Sequence, residues 1–294
     1  MNRLAGQVDP APWWQAGMAP GAHSRQLGDF TVTVRGPGET GDSGAPHVFL
    51  VHGMVDASDT WAPLLPALAG CQVWHLDLPW SGRDGVDWPG QADALAWLQV
   101  ALDLCGNRPG LFIGHSFGAT VLLAWLATVP AAARLASMAI LLAPFYCPRA
   151  RKPGWDQIDQ FARTVPQRFE HSLRLRMGAD APDGVLLAAM ARKLGERAMP
   201  DALLELFRMF LASRRWPVAR LSTPLQIIVG AEDGALANDS ARALAAAAPH
   251  ATLHVLPGCG HDPVHEVPDQ LGALVAAMVA AIVRIPSHRP GAAA

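Results

Sequence analysis

The sequence predicts an α/β protein, a mostly parallel central sheet flanked by helices and interrupted by an inserted helical cap. Three observations predict it. From about residue 29, short β-like runs alternate with longer helical stretches, the order that lays a parallel sheet between two layers of helices. Most of those runs are continuously apolar, as strands covered on both faces are. Residues 145–221 then break the rhythm: no buried strand is legible there, and the sequence reads as amphipathic helices separated by Pro and Gly.

Element by element, DFTVTVR (29–35) alternates apolar and polar positions like a half-exposed strand. HVFLVH (47–52), CQVWHLDL (71–78), LFIGH (111–115), MAILLA (138–143), LQIIVG (225–230) and TLHVLP (252–257) are the buried strands. Helices are expected over 61–68, 91–104, 117–128, 239–247 and 268–283, with Ser58 and Asn238 as N-cap candidates. The core is thus expected over 29–144 and 222–285. Residues 1–28, rich in Pro, Gly and Trp, are expected to be an N-terminal extension, and 286–294 a frayed tail.

Composition excludes several function classes. With 51% hydrophobic residues the chain has enough apolar matter for a large core, which excludes disorder. A net charge of −2 gives no electrostatic case for a nucleic-acid partner. That charge is uneven: residues 146–220 hold 14 Lys/Arg against 8 Asp/Glu, a net of +6, so the remainder nets −8. The four cysteines (Cys71, Cys105, Cys147, Cys259) have neither zinc-site nor disulfide-framework spacing and read as free thiols of a reducing compartment. The most apolar stretch, 271–285, is about 15 residues, short of the roughly 20 that span a bilayer. No signal-peptide pattern opens the chain, so a cytoplasmic location is expected. Scarce lysine beside abundant Arg and Ala points to a GC-rich bacterial genome. Oligomeric state is not legible.

The chemistry is carried first by Gly114-His115-Ser116-Phe117-Gly118, a GxSxG pentapeptide between an expected strand and an expected helix. A sharp turn there holds the serine in a strained conformation and lifts its hydroxyl above the sheet, while glycines avoid collisions. Serine needs a base, and the base needs an orienting acid. Asp233, in GAEDGAL, follows one expected strand, and His261, in GCGHDP, follows the next. All three residues therefore emerge at the carboxyl edge of the sheet, where open α/β folds bind ligands.

With Val51-His52-Gly53-Met54, Asp77-Leu78-Pro79 and Gly260-His261-Asp262-Pro263 followed by Glu266 and Pro268, the chain resembles the α/β-hydrolase superfamily over nearly its whole length. The resemblance implies Ser116 as nucleophile, His261 as general base and Asp233, rather than Glu232, as orienting acid. It places an oxyanion hole at the backbone N–H groups of Met54 and Phe117. Where relatives carry Gly-His-Gly or Gly-Tyr-Gly after Asp-Leu-Pro, this chain has Trp80-Ser81-Gly82-Arg83, which puts an indole beside the expected pocket. His52 is expected to brace its loop and His115 to point into the core. His265 has the spacing of a metal pair with His261, but no third ligand is apparent.

The implied reaction is acyl transfer through an acyl-enzyme, with no cofactor, metal or nucleotide; there is no GxGxxG or Walker loop. A serine at the nucleophile position argues against dehalogenase and epoxide-hydrolase chemistry, in which relatives use aspartate. Carboxylesterase, thioesterase, C–C bond hydrolase and acyltransferase or cyclase chemistry remain, as does a non-catalytic small-molecule-binding role. Trp80, Phe145, Tyr146 and Trp155, with Met54 and Phe117, are expected to line a pocket for a hydrophobic acyl group. The basic cap suggests a CoA- or carrier-protein-linked thioester, as in bacterial secondary metabolism.

Overall fold

The computed structural model describes residues 21–37, 44–81, 93–152, 154–197 and 200–283. The expected tail, most of the N-terminal extension, and Gly82 and Arg83 lie outside the described residues. Eight strands form one sheet: β1 (Ala22–Leu27), β2 (Phe30–Arg35), β3 (His47–Val51), β4 (Gln72–Asp77), β5 (Gly110–His115), β6 (Ala136–Leu142), β7 (Leu225–Gly230) and β8 (Ala251–Leu256). Their order is β1-β2-β4-β3-β5-β6-β7-β8; β1–β2 and β2–β4 are antiparallel and every other pair is parallel. The edge strand β1 falls within the segment expected to be an extension. It is mostly exposed and polar (AHSRQL), which is why it lacks a buried-strand pattern.

Alternation along the central strands divides the core. Val48 and Leu50 face one layer, Phe49 and Val51 the other, and all four are fully buried. One layer packs on helices α1 (Ala94–Leu104), α2 (Phe117–Thr128) and α7 (Ala235–Ala247), the other on the 3₁₀ helix Ser58–Leu68 and α9 (Pro268–Val283). Two expectations are corrected here. The helix expected over 61–68 is 3₁₀, because Pro63 and Pro66 each withhold an N–H from an α-helical ladder. Ser58 does not cap it; its N–H and hydroxyl both bond to Asp77 at the end of β4. Likewise α7 starts at Ala235, a turn before its expected start, so Asn238 lies inside the helix.

Between β6 and β7 run a loop, then α4 (Trp155–Met177), α5 (Gly184–Arg197) and α6 (Pro200–Ala212), with short 3₁₀ helices after α4 and α6, the helical segment called the cap below; the short helices α3 (Ala132–Leu135) and α8 (Pro263–Glu266) precede β6 and α9. Among the described residues no helix is long and apolar enough to cross a membrane.

Candidate active site

Ser116 sits between β5 and α2 at φ 52° and ψ −114°, a conformation L-residues avoid at a cost of about 1–3 kcal/mol. The turn is held by the Ser116 N–H, which donates to the Leu142 carbonyl at 2.8 Å. The flanking glycines are required sterically. A Cβ on Gly118 would lie 2.3 Å from the His52 carbonyl oxygen, and one on Gly114 would lie 2.9 Å from the backbone of Ala119.

Asp233 and His261 reach Ser116 from the ends of β7 and β8. The Ser116 hydroxyl lies 2.9 Å from His261 Nε2, and His261 Nδ1 lies 2.8 Å from Asp233 Oδ2. A carboxylate can only accept, so Nδ1 carries the ring proton and Nε2 is left to accept from the serine. Asp233 is buried, which works against its ionisation. The paired His261, the Arg168 guanidinium and the Gly234 N–H outweigh burial and hold its carboxyl below the ordinary range. Glu232 lines the cavity without replacing it.

Supporting residues fix this relay. Asn238, expected as a helix cap, instead donates to the carbonyls of Asp233 (2.7 Å) and Gly230 (3.2 Å). Glu266 accepts from the N–H groups of Gly260 (2.6 Å) and Asp262 (2.9 Å), clasping the loop on both sides of His261. His115, expected to face the core, instead lies beside His261 and bonds Nε2 to its carbonyl at 2.9 Å. Burial keeps the His115 ring below its usual range, so it is neutral at pH 7 and donates from Nε2. His265 bonds Asp262 rather than pairing with His261. Among the described residues no group of three or more His, Cys, Asp or Glu is placed to hold a metal. Burial pushes the nearby Cys259 thiol up to about 12, so it remains an inert thiol.

The loop carrying Met54 is strained and braced. Val55 adopts φ 59°, unfavourable for a β-branched residue, while its N–H donates to the Trp80 carbonyl at 2.9 Å. The Trp80 indole N–H donates to the His52 carbonyl at 3.0 Å. His52 spends both ring nitrogens on the same region: Nε2 accepts from Leu78 N–H, leaving Nδ1 to donate to the Gly53 carbonyl at 2.8 Å.

Over Ser116 opens a cavity of about 430 Å³. Met54 and Phe117 line it, as expected, but the four other expected pocket residues do not. Trp80 is buried behind the wall, edge-on to Phe117 at 5.3 Å. Phe145 and Tyr146 are buried away from the cavity lining, and Trp155 is 83% exposed at the start of α4. The apolar wall comes instead from the cap: Phe169 and Leu173 on α4, Leu194 on α5, Leu203 and Leu206 on α6.

One face of α4 also touches three loops of the site. Arg168 Nη2 is 3.5 Å from Asp233 Oδ1, Ser172 Oγ is 3.3 Å from Asp262 Oδ2, and Arg176 Nη2 donates to Asp56 Oδ1 (2.7 Å) and Thr60 Oγ1 (3.0 Å). These residues recur every four positions, the spacing that stacks side chains on one helix face. His171 adds a contact to Glu266 at 3.6 Å.

Residues 48–274 match the model of the alpha/beta hydrolase family, more than half of the chain and every site residue above. The chain belongs to that family. Among characterised relatives, epoxide hydrolase A of Mycobacterium tuberculosis is 34% identical over 121 residues, covering 39% of this chain and 37% of that one. The chain therefore matches little more than a third of that relative's length. Among solved structures of the fold, a serine hydrolase from Cycloclasticus zankles superposes with a TM-score of 0.63 at 19% identity, covering 89% of this chain and 98% of the other. An esterase from a Rhodococcus species gives 0.61 at 16%, covering 89% and 99%. At such identities the likeness is one of fold.

Proposed function

We propose that this alpha/beta hydrolase cleaves carboxylic esters or thioesters through an acyl-enzyme on Ser116. The observation that carries the reading is the continuous hydrogen-bonded relay from Ser116 Oγ through His261 to Asp233 at the foot of an apolar cavity. His261 takes the serine proton as Oγ attacks the carbonyl carbon. The carbonyl electron pair moves onto oxygen, where the N–H groups of Met54 and Phe117 stabilise it, each such donor being worth about 3 kcal/mol of barrier. Collapse expels the alcohol or thiol with the proton from His261, and water then repeats the sequence to release the acid. The cavity volume and its Leu and Phe lining suit an apolar acyl group of moderate size. The epoxide hydrolase named above shares family and local sequence; here the position on the strand-to-helix turn is a serine, which favours acyl transfer.

The test is hydrolysis of a p-nitrophenyl ester series of increasing acyl length by wild type and Ser116→Ala. Wild type is expected to turn over and the variant to lose at least about 10³-fold in kcat. Equal rates from the two proteins would remove Ser116 as nucleophile and with it the acyl-enzyme reading.

A further inference from the structure

The surplus positive charge of the cap is not spread evenly. Arg163, Arg174, Lys193 and Arg208 pair with acids on their own helices, and Arg151, Arg168 and Arg176 pair with Asp239, Asp233 and Asp56 outside the cap. Arg149, Arg214 and Arg215 pair with no carboxylate among the described residues, and the three stand together. With Leu211, Ala212 and Trp216 they line a groove of about 770 Å³, and among the described residues no acidic side chain lines it.

This groove is built rather than incidental. Arg149 Nε donates to the Arg214 carbonyl at 3.1 Å, and Arg214 Nη2 donates to the Arg149 carbonyl at 2.8 Å. Each guanidinium thereby fixes the other's backbone while using one of its five N–H donors on that bond. Beneath them the Cys147 N–H donates to Ser213 Oγ at 2.8 Å, and Ser213 Oγ donates to the Phe210 carbonyl at 2.6 Å, locking the two segments together. Guanidinium forks match phosphate oxygens in pairs, and the half-buried Trp216 adds an aromatic ring to the groove lining.

The groove also lies within tether range of the site. The Phe145 ring stands 6.0 Å from the His261 ring, and Arg149 follows four residues later, so their Cα atoms are at most about 15 Å apart. We propose that Arg149, Arg214, Arg215 and Trp216 bind the phosphate-bearing nucleotide end of an acyl-CoA while its acyl end occupies the cavity over Ser116. This rests on the hydrolase reading above and narrows it to nucleotide-linked thioesters.

The deciding experiment compares an acyl-CoA with the N-acetylcysteamine thioester of the same acyl group, which has the same scissile bond and no phosphates. Wild type is expected to favour the CoA substrate by at least about ten-fold in kcat/KM, through KM and with strong salt dependence. Arg215→Glu, at an exposed position that supports no backbone, should erase most of that preference and leave the N-acetylcysteamine thioester unaffected. Calorimetric titration with ADP should give binding by wild type that Arg215→Glu weakens, a readout that survives even if neither thioester is hydrolysed. A catalytically competent enzyme with equal kcat/KM for the two thioesters overturns the proposal, as does ADP binding unchanged in Arg215→Glu. Preference for a carrier-protein thioester with none for acyl-CoA overturns it too, in favour of a protein-docking face.

Discussion

In the core, the loops that carry Ser116, Asp233 and His261 are held mainly through backbone groups. Ser116 N–H bonds the Leu142 carbonyl, Glu232 N–H bonds the Cys259 carbonyl, and Asn238 and Glu266 bond the main chain of the other two loops. In the cap, α4 grips the Asp233 and His261 loops and the Met54 loop by side chains, through Arg168, His171, Ser172 and Arg176. Backbone clasps in a packed interior leave little room to adjust. Ion pairs at the rim are softened by water and can exchange partners. The core therefore sets the geometry of the chemistry, and the cap sets the shape and charge of the space above it.

Glycines offer the sharpest test of that division. A Cβ on Gly230, at the end of β7, would lie 2.1 Å from the Gly260 carbonyl oxygen and 2.2 Å from that of Cys259. Both are backbone atoms of the loop carrying His261, so relief requires moving that loop or the strand. Gly230→Ala is expected to cost more than about 4 kcal/mol in chemical denaturation, or to yield no folded protein. In the cap, a Cβ on Gly184 meets nothing within 4 Å, and Gly184→Ala at the start of α5 should be neutral or stabilise by up to about 1 kcal/mol. Similar costs at the two positions would abolish the distinction between a tight core and a tolerant cap.

A smaller effect is expected at Arg176, the strongest cap-to-core contact. Its loss leaves the Asp56 carboxylate, whose side chain is 7% exposed, without its cation. Breaking a fully buried pair costs about 3–5 kcal/mol. The Arg176 side chain is still 32% exposed, so solvent screening reduces the expected cost of Arg176→Ala to about 2 kcal/mol. Asp56→Asn in the same chain should recover most of it. Unfolding by denaturant measures both, and additive losses in the double variant would show that the two side chains do not act as a pair.

What the sequence made legible follows the same line between core and cap. The serine, acid and base each lie at a strand end inside a short strand–turn–helix pattern, where local chemistry dictates geometry: only glycine fits at 114 and 118, and the chain must turn at 116. The cavity wall is different, because its residues come from three helices whose mutual placement no local pattern encodes. Aromatic residues next to the site in sequence were therefore poor guides. Trp80 turns its indole inward because its N–H finds the His52 carbonyl there, and Phe145 follows its own N–H toward Thr120. Asn238 escaped notice because a polar residue near a helix start reads the same whether it caps the helix or bonds back to the preceding loop. Charge asymmetry was legible as a sum, but its meaning was not. Three of the cap's cations are spent on carboxylates of the body, four pair within their own helices, and three more line one groove.

The subtlest contact between the two regions is the one with the most chemical content. Arg168 reaches from α4 to 3.5 Å from Asp233, with its side chain 22% exposed. His261 is faced by Asp233 from the loop after β7, by His115 from the end of β5, and by Asp262 and Glu266 from its own segment, with Arg168 beyond Asp233. Asp233 is buried, yet the paired His261 and the Arg168 guanidinium hold its carboxyl below the ordinary range. Its depressed carboxyl contributes stability above the unfolded value near 3.8 that is lost as pH falls through the folded one, and Arg168→Gln should reduce that contribution and raise the pH of acid unfolding. An acid-unfolding midpoint that does not move in Arg168→Gln, followed by circular dichroism, would reduce Arg168 to a packing contact and leave the cap no electrostatic hold on the triad.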